Sequence, residues 1–174
     1  MSVSYTCENK CCTVKIKPYV KQCLHKKGNC KKAGVFIFDP KEKRVLLVQS
    51  RGHLFGPPKG SLRVGEQERH CAVREVKEET GLNICSDDFT RAIKVRNRAI
   101  YYYLEMETCD ISIQNIKNND ANGITWIKLD CLVDAVLNGN IVLSHHAKIV
   151  FHKLFGIIFP RCNWTVVHRK RRSK

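Results

Sequence analysis

Three carboxylates, Glu75, Glu78 and Glu79, stand at i, i+3 and i+4 within residues 60–82, GSLRVGEQERHCAVREVKEETGL. On an α-helix that spacing puts all three on one face, about one turn apart. Like charges held so close repel, and a hard divalent cation such as Mg2+ or Mn2+ would relieve the repulsion by taking their oxygens as ligands. A solvated acidic face is the alternative. Arg74 precedes Glu75 and lies one turn from Glu78, where it can orient that carboxylate without neutralising all three. Gly60 and Gly81 bracket the run, the first suited to a tight loop before a helix and the second to its C-terminal stop.

Such a helix must be seated on a sheet. The pattern predicts it over residues 66–80, with Ala72, Val73 and Val76 as its apolar stripe. Cys71 falls near the carboxylate face, where Arg74 would lower its pKa; it is read as a bystander, because attack by water needs no thiolate. Upstream, AGVFIFD (33–39) reads as a buried strand and RVLLVQ (44–49) as its hairpin partner across DPKEK. In the following loop, SRGHLFGPPKG, two prolines fix φ and hold the backbone rigid beside the acidic helix. Lys59 would direct its charge at a bound phosphate, and Arg51 is a second candidate for that role.

Downstream, residues 90–95 and 99–106 read as strands joined by the turn RNR. Tyr101, Tyr102 and Tyr103 alternate sides there, which makes Tyr101 and Tyr103 candidates for stacking a nucleobase, with core packing as the alternative. An asparagine-rich loop over 108–123 precedes the strand ITWIKLD and a helix over about 131–137. Ser144 caps a last helix in which Val150, Phe151, Leu154, Phe155 and Ile158 would pack on the domain, while His145 and His146 in its first turn are expected to be solvated.

The 174 residues suffice for one domain, 33–160, flanked by a basic Cys/Lys-rich segment, 1–32, and a basic tail, 161–174. A net charge of +15 implies an anionic partner: nucleic acid, a polyphosphate or an acidic membrane surface. No apolar run is long enough to span a bilayer and no secretory signal is evident, so an intracellular location is expected, with no obligate protein partner inferable. The ten cysteines show no regular framework and read as mostly reduced thiols. Segment 1–32 has the alternation for one short strand at most. Cys7, Cys11, Cys12, Cys23, His25 and Cys30 invite a zinc reading, but no second pair follows Cys7 and Cys11 at matching spacing. HRKRRSK at the C-terminus could grip RNA phosphates or act as a nuclear address.

Gly60, Glu66, Arg74, Glu75, Val76, Glu78, Glu79, Gly81 and Leu82 match the Nudix box, G-x5-E-x7-R-E-U-x-E-E-x-G-U, at every fixed position. The chain thus resembles the Nudix hydrolase superfamily. The resemblance implies an α/β fold, an α/β/α sandwich around a mixed sheet. It also implies Mg2+- or Mn2+-dependent hydrolysis of a diphosphate linkage. Glu75, Glu78 and Glu79 would be metal ligands, one of them doubling as base, and the Gly60 carbonyl a further ligand. Arg74 would orient, and Glu66 would be a ligand or a structural partner of the helix. Many Nudix proteins place a Glu six residues before a Trp, where it serves as ligand or base. Asp120 stands six before Trp126 here, one methylene shorter, with a plain surface-loop role as the alternative.

FGPPKGSLRVGE resembles the box region of both messenger RNA decapping enzymes and diadenosine tetraphosphate hydrolases, and CAVREVKEETG sits nearer the decapping version. Small basic Nudix proteins of this kind are also similar to decapping enzymes of large DNA viruses. Charge favours capped RNA, a polyanion able to use both basic extensions, so the expectation is cleavage of the cap triphosphate with release of m7GDP. Dinucleoside polyphosphates or diphosphoinositol polyphosphates are the enzymatic alternative. An RNA-binding module with little turnover is the third reading, and the complete box argues against it.

Overall fold

The computed structural model describes residues 3–19, 30–50, 52–114 and 121–160. Arg51, Asp120, Cys23, His25 and the tail 161–174 lie outside the described residues.

Continuous apolar runs form strands because both of their faces are covered. In β3 (Lys32–Asp39), Val35 and Ile37 point into one core and Phe36 and Phe38 into another on the opposite side of the sheet. β4 (Arg44–Ser50) divides in the same way, Leu46 and Val48 to one face, Val45 and Leu47 to the other. α1 (Glu68–Thr80) closes the first core with Cys71, Ala72 and Val76. α2 (Leu129–Leu137) and α3 (His145–Phe155) close the second, where Phe36 meets Phe151 edge-on at 5.1 Å between ring centres. The result is an α/β/α sandwich around a mixed sheet.

Beside these lie β1 (Val3–Thr6), β2 (Thr13–Ile16), β5 (Leu54–Gly56), β6 (Lys59–Ser61), β7 (Arg91–Val95), β8 (Ala99–Glu105) and β9 (Ala121–Lys128). The sheet runs β1-β2-β9-β4-β3-β8-β7, with β5 paired to β4 and β6 to β3. β3 and β8 are parallel, and the other pairings are antiparallel.

β3 and β4 form the expected hairpin through Phe38↔Val45 and Asp39↔Arg44 beside their turn, while β8 flanks β3 over seven residues and β9 flanks β4. Asp39 anchors that turn: its Oδ1 accepts from the backbone of Lys41 and Glu42, and its Oδ2 from the backbone and hydroxyl of Thr108. Burial alone would raise its pKa, yet these donors hold it at about 2. Residues 1–32 supply two strands rather than at most one, and β2 joins the sheet at β9. The acidic helix begins at Glu68 rather than 66, and α2 begins at Leu129 rather than near 131. Ile158 is exposed rather than packed, because α3 ends at Gly156 in a left-handed cap and the helical period stops there. Among the described residues, no helix is long and apolar enough to cross a membrane.

Candidate active site

β6 lies pressed between β3 and α1, and two glycines let it fit. A Cβ on Gly34 would meet the Pro58 carbonyl oxygen at 2.4 Å, and one on Gly60 would meet the Glu75 carboxylate at 1.9 Å. The backbone of Gly60 is therefore in direct reach of the acidic helix. At the other end of α1, Gly81 takes φ 81° and its N–H donates to Lys77 O, stopping the helix as its position predicts.

Arg74 is the hub. Its Nε and Nη2 grip Glu66 as a fork, 2.7 Å to Oε1 and 2.9 Å to Oε2. Its Nη1 donates to Glu75 Oε1 at 2.7 Å and to Glu78 Oε2 at 3.0 Å, and Nη2 also reaches Ser61 O. A planar five-donor guanidinium suits this arrangement where an ammonium would not. The Arg74 fork holds Glu66 at about 2, against the opposing push of burial and with help from the Arg63 N–H. Those same carboxylates raise the Arg74 pKa. Arg63 Nη2 donates to Glu78 Oε1 at 3.0 Å from the solvent side.

Glu79 points inward. It is buried, and its Oε2 accepts the Lys59 N–H at 2.9 Å, which ties the C-terminal turn of α1 to β6. Cys71 is also buried, and its pKa is pushed up to about 12. Burial is the main cause and the Glu66 charge adds to it; Arg74 pulls the pKa down as expected but is outweighed. The thiol faces Gly60 O at 3.9 Å and stays protonated.

A divalent cation fits the chemistry of this donor set. Arg74 Nη1 already draws an oxygen each of Glu75 and Glu78 to one point, within 3.0 Å, and Gly60 presents backbone beside them. Hard anionic and carbonyl oxygens are the ligands Mg2+ and Mn2+ prefer. The three box glutamates are not gathered into one cluster of oxygens, because Arg74 holds two of them and the Lys59 N–H the third.

Of the other sequence candidates, Lys59 sits on β6 at the edge of this site. Tyr101 does not face a cleft: it is fully buried in the core beneath α3, its hydroxyl 3.4 Å from His146 Nδ1. Burial and the Glu79 charge push its pKa up. Strand alternation turns Tyr102, not Tyr101 or Tyr103, toward the α1 face, where it stacks on Phe89 at 4.9 Å under the Arg69 guanidinium. Tyr103 donates to Glu105 Oε1 at 2.8 Å and lines an open cavity of about 390 Å³ with Arg91, Leu154 and Phe155 on the α3 side. His146 is half-buried rather than solvated. Burial, with the charges of Lys59, Lys32 and Arg98, lowers its pKa to about 4. These cations come from three separate stretches of sequence, and only folding brings them around one imidazole.

The NUDIX domain family pattern matches residues 29–146, more than half of the chain. The chain belongs to the Nudix family. This Nudix chain is 33% identical over 106 residues to protein 111R of Invertebrate iridescent virus 3. It is 29% identical over 117 residues to mRNA-decapping enzyme subunit 2 of Arabidopsis thaliana, and 32% over 96 residues to the asymmetrical bis(5'-nucleosyl)-tetraphosphatase of Rattus norvegicus. The matches take in 60%, 64% and 49% of this chain and span 62%, 31% and 64% of those proteins, under two thirds of each. Among solved structures, the NUDIX domain of Shewanella oneidensis NrtR superposes with a TM-score of 0.53 at 18% identity over 73% of this chain and 86% of that one, a likeness of fold.

Proposed function

We propose that this Nudix protein hydrolyses a phosphoanhydride with a divalent cation held at α1, and that its substrate is capped RNA, from which it releases m7GDP. The observation that carries the reading is the Arg74 hub, which aligns Glu75 and Glu78 beside Gly60 as the family's chemistry requires. In this reading Glu75, Glu78 and Glu79 would hold Mg2+ or Mn2+ with the Gly60 carbonyl, and one of these glutamates would accept the proton of the attacking water. The cation, when bound, offsets charge on the phosphate chain and lowers the pKa of water. Glu66 is a structural partner, because its whole carboxylate is engaged by Arg74 and by the Arg63 N–H. Lys59, with Lys32 and Arg98, forms the cationic side toward which the phosphates run.

Capped RNA is favoured by the +15 charge and by similarity over 117 residues to a decapping subunit. Residues 1–32 and 161–174 would extend the grip on RNA beyond the core domain, and capped RNA would place the enzyme in the cytoplasm or nucleus. Similarity to a bis(5'-nucleosyl)-tetraphosphatase supports a second reading, dinucleoside polyphosphate hydrolysis.

A single panel separates them. With Mg2+ or Mn2+, cap-labelled RNA should yield m7GDP, long RNA should compete, and the free cap dinucleotide should turn over poorly. Faster turnover of diadenosine tetraphosphate or a diphosphoinositol phosphate would replace the substrate assignment while leaving the chemistry standing. Glu78→Gln should lower turnover by orders of magnitude with RNA binding nearly intact, and undiminished turnover would remove that residue from the site.

A further inference from the structure

Away from the glutamate helix, four thiols converge. Cys7 and Cys12 flank the turn between β1 and β2, Cys11 lies within it, and Cys131 comes from the first turn of α2. Cys11 Sγ is 3.6 Å from Cys7 Sγ, 3.6 Å from Cys12 Sγ and 3.5 Å from Cys131 Sγ, and all four sulfurs lie within 4.8 Å of one another. A tetrahedral zinc with Zn–S bonds of about 2.3 Å needs sulfurs about 3.8 Å apart. The observed spacing brackets that edge, so small rotamer shifts suffice.

The surroundings suit thiolates. Backbone N–H groups of Cys12 and Lys128 donate to Cys7 Sγ and Cys12 Sγ, each at 3.3 Å. The turn is closed by Lys10 in a left-handed conformation, φ 54°, with its N–H on Cys7 O and the Cys7 N–H on Cys12 O. Arg44 Nη2 donates to Cys11 O at 3.1 Å, and its Nε is buried without an acceptor. That cation stands where a tetrathiolate centre would place a charge of −2 on the fold.

We propose that Cys7, Cys11, Cys12 and Cys131 bind one structural Zn2+, which fastens the N-terminal hairpin to α2. Binding converts four thiols and Zn2+ into a Zn(S-Cys)4 dianion and four released protons. The site closes the metal's coordination, leaving no open position for catalysis. Its role is to reinforce β2 on the edge of β9, where Lys15↔Ile124 and Ile16↔Gly123 pair, the Thr125 hydroxyl donates to Thr13 O and Val14 is buried in the core.

The test uses the full chain, purified under reducing conditions with no zinc added. Elemental analysis should find about one zinc per chain, and X-ray absorption a shell of four sulfurs at about 2.3 Å. Cobalt substitution should give the thiolate charge-transfer bands of a tetrahedral site. Cys131→Ser should lose the zinc, whereas Cys109→Ser, at an exposed thiol, should keep it. Should Cys131→Ser fail to fold, the absorption shell and cobalt spectrum of the unaltered chain decide. A mixed nitrogen and sulfur shell, zinc retained by Cys131→Ser, or a protein folded and metal-free would each overturn the proposal.

Discussion

At the residue scale the site is governed by how closely side chains crowd one arginine. Gly60 has no room for a methyl group, since Glu75 lies over it. Gly60→Ala should therefore push Glu75 off Arg74 and lower turnover about 100-fold, the scale of loss from a displacement near 1 Å, while a thermal melt still shows a cooperative fold. Wild-type turnover in this variant would mean that β6 yields instead. The Arg74 fork has its own signature. Glu66 is held at about 2, below the ordinary 4.5, so its contribution to stability is complete above pH 4.5 and is lost as pH falls toward 2. Melting temperature followed from pH 6 to pH 2 should fall less steeply in Arg74→Gln than in the parent, and parallel curves would show that the fork contributes no linkage.

At the element scale, the box glutamates and the bracketing glycines were legible because a helix fixes the spatial meaning of a spacing in sequence. The two tight hairpins, β3 with β4 and β7 with β8, were legible as well, but the long-range strand partners were not. Nothing in AGVFIFD says that its long neighbour is the parallel strand β8, because the choice depends on where α1 returns the chain. Residue 131 joining the cysteines of the N-terminal turn is invisible for the same reason. The tyrosine run shows the limit most clearly: alternation was readable, but which parity faces α1 is set by the register of β8 on β3, where Tyr101 lies beside Gly34. Because Tyr101 is a core residue, Tyr101→Phe should leave KM for capped RNA unchanged. Losing its contact to His146 should cost about 1 kcal/mol, read by chemical denaturation. A raised KM with unaltered stability would restore Tyr101 to the substrate. His146 gives a second handle. Its lowered pKa means that the unfolded chain binds the extra proton between about pH 6.5 and 4, so stability falls on acidification through that window. His146→Gln should flatten the fall.

At the scale of the whole molecule the question is why a hydrolase of one small linkage carries 31 basic residues against 16 acidic ones. A cleft for a free dinucleotide needs few of them, whereas a polymer can engage cations spread over the surface and both extensions. The sequence HRKRRSK holds five lysines and arginines in its seven residues, so its removal isolates a large part of that charge. If each cation neutralises one phosphate of single-stranded RNA, truncation at residue 167 should reduce the slope of log affinity against log salt by up to about 3.5. The same truncation should leave turnover of the free cap dinucleotide unchanged, since the Arg74 hub is built from partners within residues 61–78. An unaltered salt slope would remove the tail from the RNA grip, and an equal loss on both substrates would show that it acts on the chemistry instead.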